Sequence, residues 1–373
     1  MPPVIVPPSE NGAEAYLRAL FFRTEMKLIR EITRKRGQGY VDYAEVAALE
    51  RVRKTLQQMT KDAEKYVPLM IEHEFYQGAE AAAGYANAKA LINPARSRAV
   101  EILADNLLGQ VEEMAQTAYQ STASKLFLVG RLESDLFRQV GLEKAVESLA
   151  EGRGALTKTE EVIRAVQEQG ITAFVDKAGH EWSLSSYGNM AVRTTVRQAQ
   201  VASILTEDDH DLYKIIAIGT TCPVCAVYEG RVYSKSGTSP FYPPLSDAFG
   251  KIDPAGSNDL SNSFLNIHPS CLHSIVPYTE KGKTPKQVEK MRRFSNPETN
   301  PYDHDPRSKK QKAAYEEKER NRAIYRNNVK QYQKYLQAGV PGMPKTFQTF
   351  LKHKQLDDEQ YRKWVSEFRK AKK

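Results

Sequence analysis

All three cysteines of this chain and two of its seven histidines fall in two short windows, Cys222-Pro223-Val224-Cys225 and His268-Pro269-Ser270-Cys271-Leu272-His273. If the windows serve one purpose, the fold must bring together side chains with 42 residues between them. A C-x2-C bite presents two thiolates from one tight turn to the same ion, which is why it recurs in structural zinc sites. His268 and Cys271 have the i, i+3 spacing of a turn, and Cys271 and His273 share a face where the segment is extended. Cys222, Cys225, His268, Cys271 and His273 are therefore the candidate metal ligands. Zinc takes four, so the set holds one more than it needs, and the spacing does not say which is spare. The competing reading is two small buried cysteines beside unrelated histidines. Clustering favours the metal. An ion held by four protein groups is structural, closing a loop with little core of its own.

Catalytic uses of these residues find no support. A nucleobase deaminase needs H-x-E ahead of its P-C-x-x-C. Here His73 and His180 are followed directly by Glu74 and Glu181. Phosphate-binding glycine loops, a G-x-S-x-G elbow and H-E-x-x-H are absent. The chain is expected not to be an enzyme.

At 373 residues the chain exceeds the size at which one core keeps growing, so two or three packed units are expected. No apolar run reaches the roughly 18 residues of a membrane span, and the first residues lack the regions of a signal peptide. An odd, small number of cysteines suits a reducing cytosol rather than a disulfide framework. Residues 1–12, with Pro2-Pro3 and Pro7-Pro8 around Val4-Ile5-Val6, read as an extended arm.

Residues 13–170 read as helical. Leu17, Phe21, Leu28 and Ile32 form one apolar stripe, and Val46, Leu49, Val52, Leu56, Met59, Ala63 and Tyr66 a second. Asn93-Pro94 opens a third helix carrying Val100, Leu103, Leu107, Val111, Met114 and Ala118. Packing within the chain as an elongated bundle is favoured over a coiled-coil seam. Shorter helices are expected over 133–149 and, after a capping box from Thr157 to Glu160, over 161–169. Residues 171–280 change texture: a hairpin over 171–184, a helix over 186–205, and a buried strand over 212–218. The 42 residues between the Cys/His windows read mostly as loop. The fold class expected is α+β, with an elongated, mainly helical N-terminal region, a small Cys/His-containing α+β domain and a basic helical C-terminal arm.

That arm, residues 281–373, holds 25 Lys+Arg against 11 Asp+Glu, a net +14. Residues 1–280 hold 29 against 35, a net −6. The overall +8 is thus a property of the last quarter of the chain, which points to a polyanionic or acidic partner or to well-solvated helices. Thr284-Pro285 should start a short helix, Asp305-Pro306 a long one, and Asp357 the last. Tyr325, Tyr332 and Tyr335 on one face, and Tyr361, Trp364 and Phe368 in the last helix, have the spacing of packing anchors rather than base-stacking platforms.

The order Trp182, Ser183, Tyr187, Met190, Arg193, Thr194, then T-C-P-x-C with Glu229-Gly230-Arg231-Val232-Tyr233-Ser234, then H-P-x-C-x-H and V-P-Y, resembles the tailed-phage minor capsid proteins, in the broad set that includes the Mu-type minor head proteins. The likeness covers residues 170–280 well and the helices before it in outline. It implies a structural protein of a phage or prophage-derived particle, present in few copies in the virion head and in host cytoplasm during assembly. Portal protein, major capsid protein and, through the basic arm, double-stranded DNA are the implied partners, in head assembly, DNA packaging or ejection. No membrane partner is expected. Carried over by position are the presumed ligands Cys222, Cys225, His268, Cys271 and His273, for a structural zinc ion. Many relatives have Cys where this chain has His273, and either serves zinc. Arg193 and Thr194 are expected to pack and hydrogen-bond. The alternative expectations are a zinc-dependent nuclease or toxin carried in the particle, and a stand-alone DNA-binding module.

Overall fold

A computed structural model describes residues 12–33, 41–86, 94–142, 170–176, 179–207, 209–250, 265–344 and 346–371. The extended arm expected over 1–12 and the helix expected over 161–169 lie outside the described residues, apart from Gly12. The chain is α+β. Helices α1 (Ala13–Thr33), α2 (Val41–Ala86) and α3 (Pro94–Leu142) precede the hairpin β1 (Thr172–Val175) and β2 (Glu181–Ser183), followed by α4 (Leu184–Glu207). Then come β3 (Leu212–Ile215), a single turn α5 (Pro223–Ala226), β4 (Val232–Ser234), a second turn α6 (Ser246–Phe249) and β5 (Ile275–Pro277). Four helices close the chain: α7 (Pro285–Ser295), α8 (Lys309–Gln337), α9 (Phe347–Leu356) and α10 (Glu359–Ala371).

The chain divides into two compact units, each made of separate stretches. One takes Met1–Phe22, Gln58–Ala115 and Ser185–Tyr315; the other takes Arg23–Gln57, Gln116–Leu184 and Glu316–Lys373.

In the first unit, the apolar stripes of the long helices are buried at Leu17 and Phe21, at Met59, Ala63 and Tyr66, and at Leu103, Leu107 and Val111. Helix α2 runs on past Tyr66, through Pro68, and keeps burying Met70, Ile71, Phe75 and Ala79. A mid-helix proline removes one backbone bond, and here the continuing apolar stripe outweighs that loss. Helix α4 lies close against both partners. A Cβ on Gly188 would fall 2.3 Å from the Phe21 ring, and one on Gly78 would fall 2.6 Å from the Gln200 carbonyl. Gln200 also donates to Glu74 at 2.6 Å.

The same unit holds a three-stranded antiparallel sheet in the order β4-β3-β5, with Tyr213 opposite Tyr233 and Lys214 opposite Val276. The described part of the segment between the Cys/His windows, expected to be mostly loop, thus carries a strand and a helical turn; residues 251–264 lie outside the description. Helix α7 has the expected start: the Gln287 amide donates to Thr284 and the Gln287 side chain accepts the Thr284 amide, a capping box. Residues 285–307 do not trail from the sheet. The Val232 amide donates to Ser295 Oγ at 2.9 Å, and the buried Arg231 guanidinium donates to the Asn300 carbonyl at 2.6 Å while lying over the Tyr302 ring.

In the second unit, the stripe of α2 is phased differently from the expectation. Val46 is 66% exposed and Leu49 half-buried, and the buried positions are Ala48, Val52 and Leu56. Val46 stands about 200° around the helix from Ala48, so the face that buries Ala48 leaves Val46 in solvent. The hairpin is anchored by the buried Glu25 of α1, which accepts the Ile171 amide at 2.9 Å.

Helix α8 begins later than expected. Its cap is Ser308, whose hydroxyl accepts the Gln311 amide at 3.3 Å while Gln311 Oε1 accepts the Ser308 amide at 2.9 Å. Asp305 does not cap. Its two oxygens take the Arg307 guanidinium in a bidentate pair at 2.9 Å each, and Oδ1 also accepts the Arg307 amide at 3.1 Å, all ahead of the first helical residue. Within 316–371, Tyr332, Tyr335, Val340, Phe350 and Trp364 form a buried cluster, completed by α9, a helix not expected from the sequence. Trp364 stacks on Phe350 at 5.8 Å and donates its indole N–H to the Gly342 carbonyl at 3.0 Å. These aromatics are packing anchors; at the rim Tyr325, 51% exposed, meets the Phe347 ring edge-on at 5.3 Å.

Candidate metal centre

The two Cys/His windows meet. Gly219 turns the chain after β3 with a positive φ of 70°. Cys222 then occupies the N-cap of α5, its sulfur accepting the Cys225 amide at 3.4 Å, so the C-x2-C segment presents both sulfurs from one turn. On the other side the Cys271 amide bonds the His268 carbonyl at 3.0 Å, closing the turn that the i, i+3 spacing predicted. Ser270, inside that turn, takes the left-handed φ of 61°. Its amide donates at 2.9 Å to the hydroxyl of Thr194, which itself donates to the Met190 carbonyl at 2.8 Å. The motif helix therefore holds the ligand turn in place, the packing and hydrogen-bonding role expected for Thr194.

All five candidates are brought together. Their ligand atoms form two triads that share Cys225: Cys222, Cys225 and His268, and Cys225, Cys271 and His273, the members of each within 4.8 Å of one another. Cys222 Sγ lies 3.3 Å from His268 Nε2, Cys271 Sγ 3.3 Å from His273 Nδ1, and Cys225 Sγ 3.7 Å from Cys271 Sγ. Around a tetrahedral zinc with metal–sulfur and metal–nitrogen bonds of about 2.3 and 2.0 Å, neighbouring ligand atoms stand about 3.3 to 3.8 Å apart. The donors fit the ion. Cys225, Cys271 and His273 are buried, while Cys222 and His268 are partly exposed.

The electrostatics agree. A bond from the Cys225 thiol, helped by His268, holds Cys222 at a pKa of about 3, a thiolate at neutral pH. Cys225, pressed between Cys222 and Cys271, is pushed far up instead: its thiol bonds with those two sulfurs hold the proton, and burial and the neighbouring negative sulfurs add their opposition to its loss. A cation removes that opposition. For His273, burial opposes protonation, but Cys271 and Glu229 outweigh it and lift the pKa to about 9. Glu229, a motif residue outside the candidate ligands, sits at the centre: its carboxylate lies 2.6 Å from His273 Nε2. A lone acid four residues after Cys225 gives no sequence signal of that contact.

The chain matches the family described as "Phage minor capsid protein 2" over residues 16–357. It belongs to that family. As a phage minor capsid protein it is a structural component of the virion. It is also similar to a protein described as "Structural protein" from Lactococcus phage LL-H, 30% identical over 118 residues, which are 29% of each chain. The match thus spans under a third of that relative's length. No solved structure matches the chain. Among the described residues, no helix of this minor capsid protein is long and apolar enough to cross a membrane.

Proposed function

We propose that this minor capsid protein acts in the phage head as a zinc-stabilised connector that contacts portal and major capsid protein and faces packaged DNA with its basic C-terminal quarter, during head assembly, packaging or ejection. The observation carrying this reading is the separation of charge, net +14 in residues 281–373 against −6 before them, in a chain of a capsid family. Lysines and arginines along α7 and α8 neutralise phosphates without reading sequence. The zinc would be held by Cys222, Cys225, His268, Cys271 and His273, of which four suffice, and the burial of three of them suits a structural ion. When bound, it cross-links the loop after β3 to the turn before β5.

Cross-linking mass spectrometry on purified full particles tests the proposal. The expected result is a low copy number relative to major capsid protein, cross-links from this chain to portal or major capsid protein, and contacts from residues 285–371 to DNA. Absence of the chain from full heads would overturn it. No single observation favours the nuclease reading over this one, and metal-dependent cleavage of nucleic acid by the purified chain would revive it.

A further inference from the structure

Both histidines of the cluster have one ring nitrogen committed away from the sulfurs. His268 Nδ1 stands 2.7 Å from the Pro269 carbonyl, and His273 Nε2 stands 2.6 Å from Glu229 Oε1. A carbonyl and a carboxylate only accept, so each of those nitrogens carries the proton. In a neutral ring the other nitrogen is then a bare lone pair, Nε2 of His268 and Nδ1 of His273. Each of these faces a cysteine sulfur at 3.3 Å. Without a cation such a nitrogen takes a second proton and donates it to the sulfur; a metal ion replaces that proton and is addressed by both, and metal-bound histidines hold their other N–H on such an acceptor.

Glu229 is itself held. The Ile218 amide donates to its Oε1 at 2.9 Å, and its side chain is 8% exposed. Glu229 follows the C-x2-C segment by four residues, whereas His273 lies in the other window, so the pair ties the two halves of the site together.

We propose that Glu229 is a positioning residue of the metal centre: by taking the Nε2 proton of His273 it presents Nδ1 as a ligand beside Cys225 and Cys271. This rests on the metal reading given above. It commits His273 to the ligand set, so the spare donor lies among the other four.

Three measurements on the full-length protein test it. The zinc-loaded wild type, labelled with 15N at histidine, should show His273 protonated at Nε2 and bare at Nδ1. In competition with a chromophoric chelator, Glu229→Ala should bind zinc about 10- to 100-fold more weakly. Glu229→Gln, which keeps an acceptor oxygen, should recover part of that loss. The cobalt-loaded Glu229→Ala protein should also show an altered ligand-field spectrum. A protonated Nδ1 in the zinc-loaded wild type overturns the proposal without needing any variant to fold. Unchanged zinc affinity and an unchanged cobalt spectrum in Glu229→Ala also overturn it. A wild type that binds neither zinc nor cobalt overturns the metal reading itself.

Discussion

The Thr194 hydroxyl accepts the Ser270 amide at 2.9 Å, joining the middle of α4 to the turn that carries His268 and Cys271. The two motifs are 76 positions apart, and their co-occurrence has a mechanical cause: one supplies the acceptor, the other a strained turn that needs it. Thr194→Val keeps the shape and removes the acceptor, leaving a part-buried amide without its partner. The expected destabilisation is about 1 to 3 kcal/mol, read from chemical denaturation. Thr194→Ser should stay close to wild type; equal losses in both variants would count against the bond.

Metal removal should loosen the loop after β3. Incubation with a strong chelator at neutral pH is expected to lower the thermal midpoint, and added zinc should restore it. Cys225→Ser, which damages both triads at once, should abolish the chelator response. A wild-type midpoint indifferent to chelator would show that the cluster is held by packing alone.

Gly170 should tolerate no side chain. Its φ is 83°, and a Cβ would come within 2.2 Å of Glu25 Oε1, the atom that accepts the Ile171 amide. Gly170→Ala is therefore expected to destabilise the hairpin by more than 1 kcal/mol, on the order of a backbone outlier plus a lost bond. Hydrogen exchange at Ile171 is the direct measurement, and unchanged protection there would contradict the account.

Trp364 should matter to stability and Tyr325 should not. Trp364→Ala empties the centre of the cluster with Phe350 and is expected to cost about 3 to 5 kcal/mol. Tyr325→Ala, at a half-exposed ring, should stay within about 0.5 kcal/mol. Weaker nucleic-acid binding in Tyr325→Ala at unchanged stability would give that ring a stacking role instead.

Much of the helical architecture was legible because burial repeats at 3.6 residues: the stripe from Val100 to Ala118 is buried at every position read from the sequence. Local errors arose where two local signals compete. At Val46 and Ala48 the apolar and the small residue were both eligible, and packing chose the smaller. At 305–308, Asp-Pro and Ser-x-x-Gln were both eligible caps, and Arg307 removed the aspartate from the contest. Helix α9 was hidden because it is only 10 residues long and its apolar positions do not form one buried stripe, Phe350 being buried while Leu356 is 66% exposed. The five donors were found from spacing. Their outer support was not, since the partnerships of Glu229 with His273 and of Thr194 with Ser270 span 44 and 76 positions and exist only after folding.

Arg307 extends one N–H to the Thr221 carbonyl, next to Cys222, while Arg231 grips the carbonyls of Asn300 and Pro301. The segment between α7 and α8 is thereby fastened to the same loop that carries the sulfurs. That segment is itself acidic, with Glu298, Asp303 and Asp305 against Arg307, but it fixes the flanking cations Arg293, Lys309, Lys310 and Lys312 as a relief rather than a brush, and a polyanion that meets them orders few additional bonds on contact. Whatever loosens the cysteine loop will blur that relief, so salt-dependent association measured with and without the ion should register the state of the sulfurs from a distance.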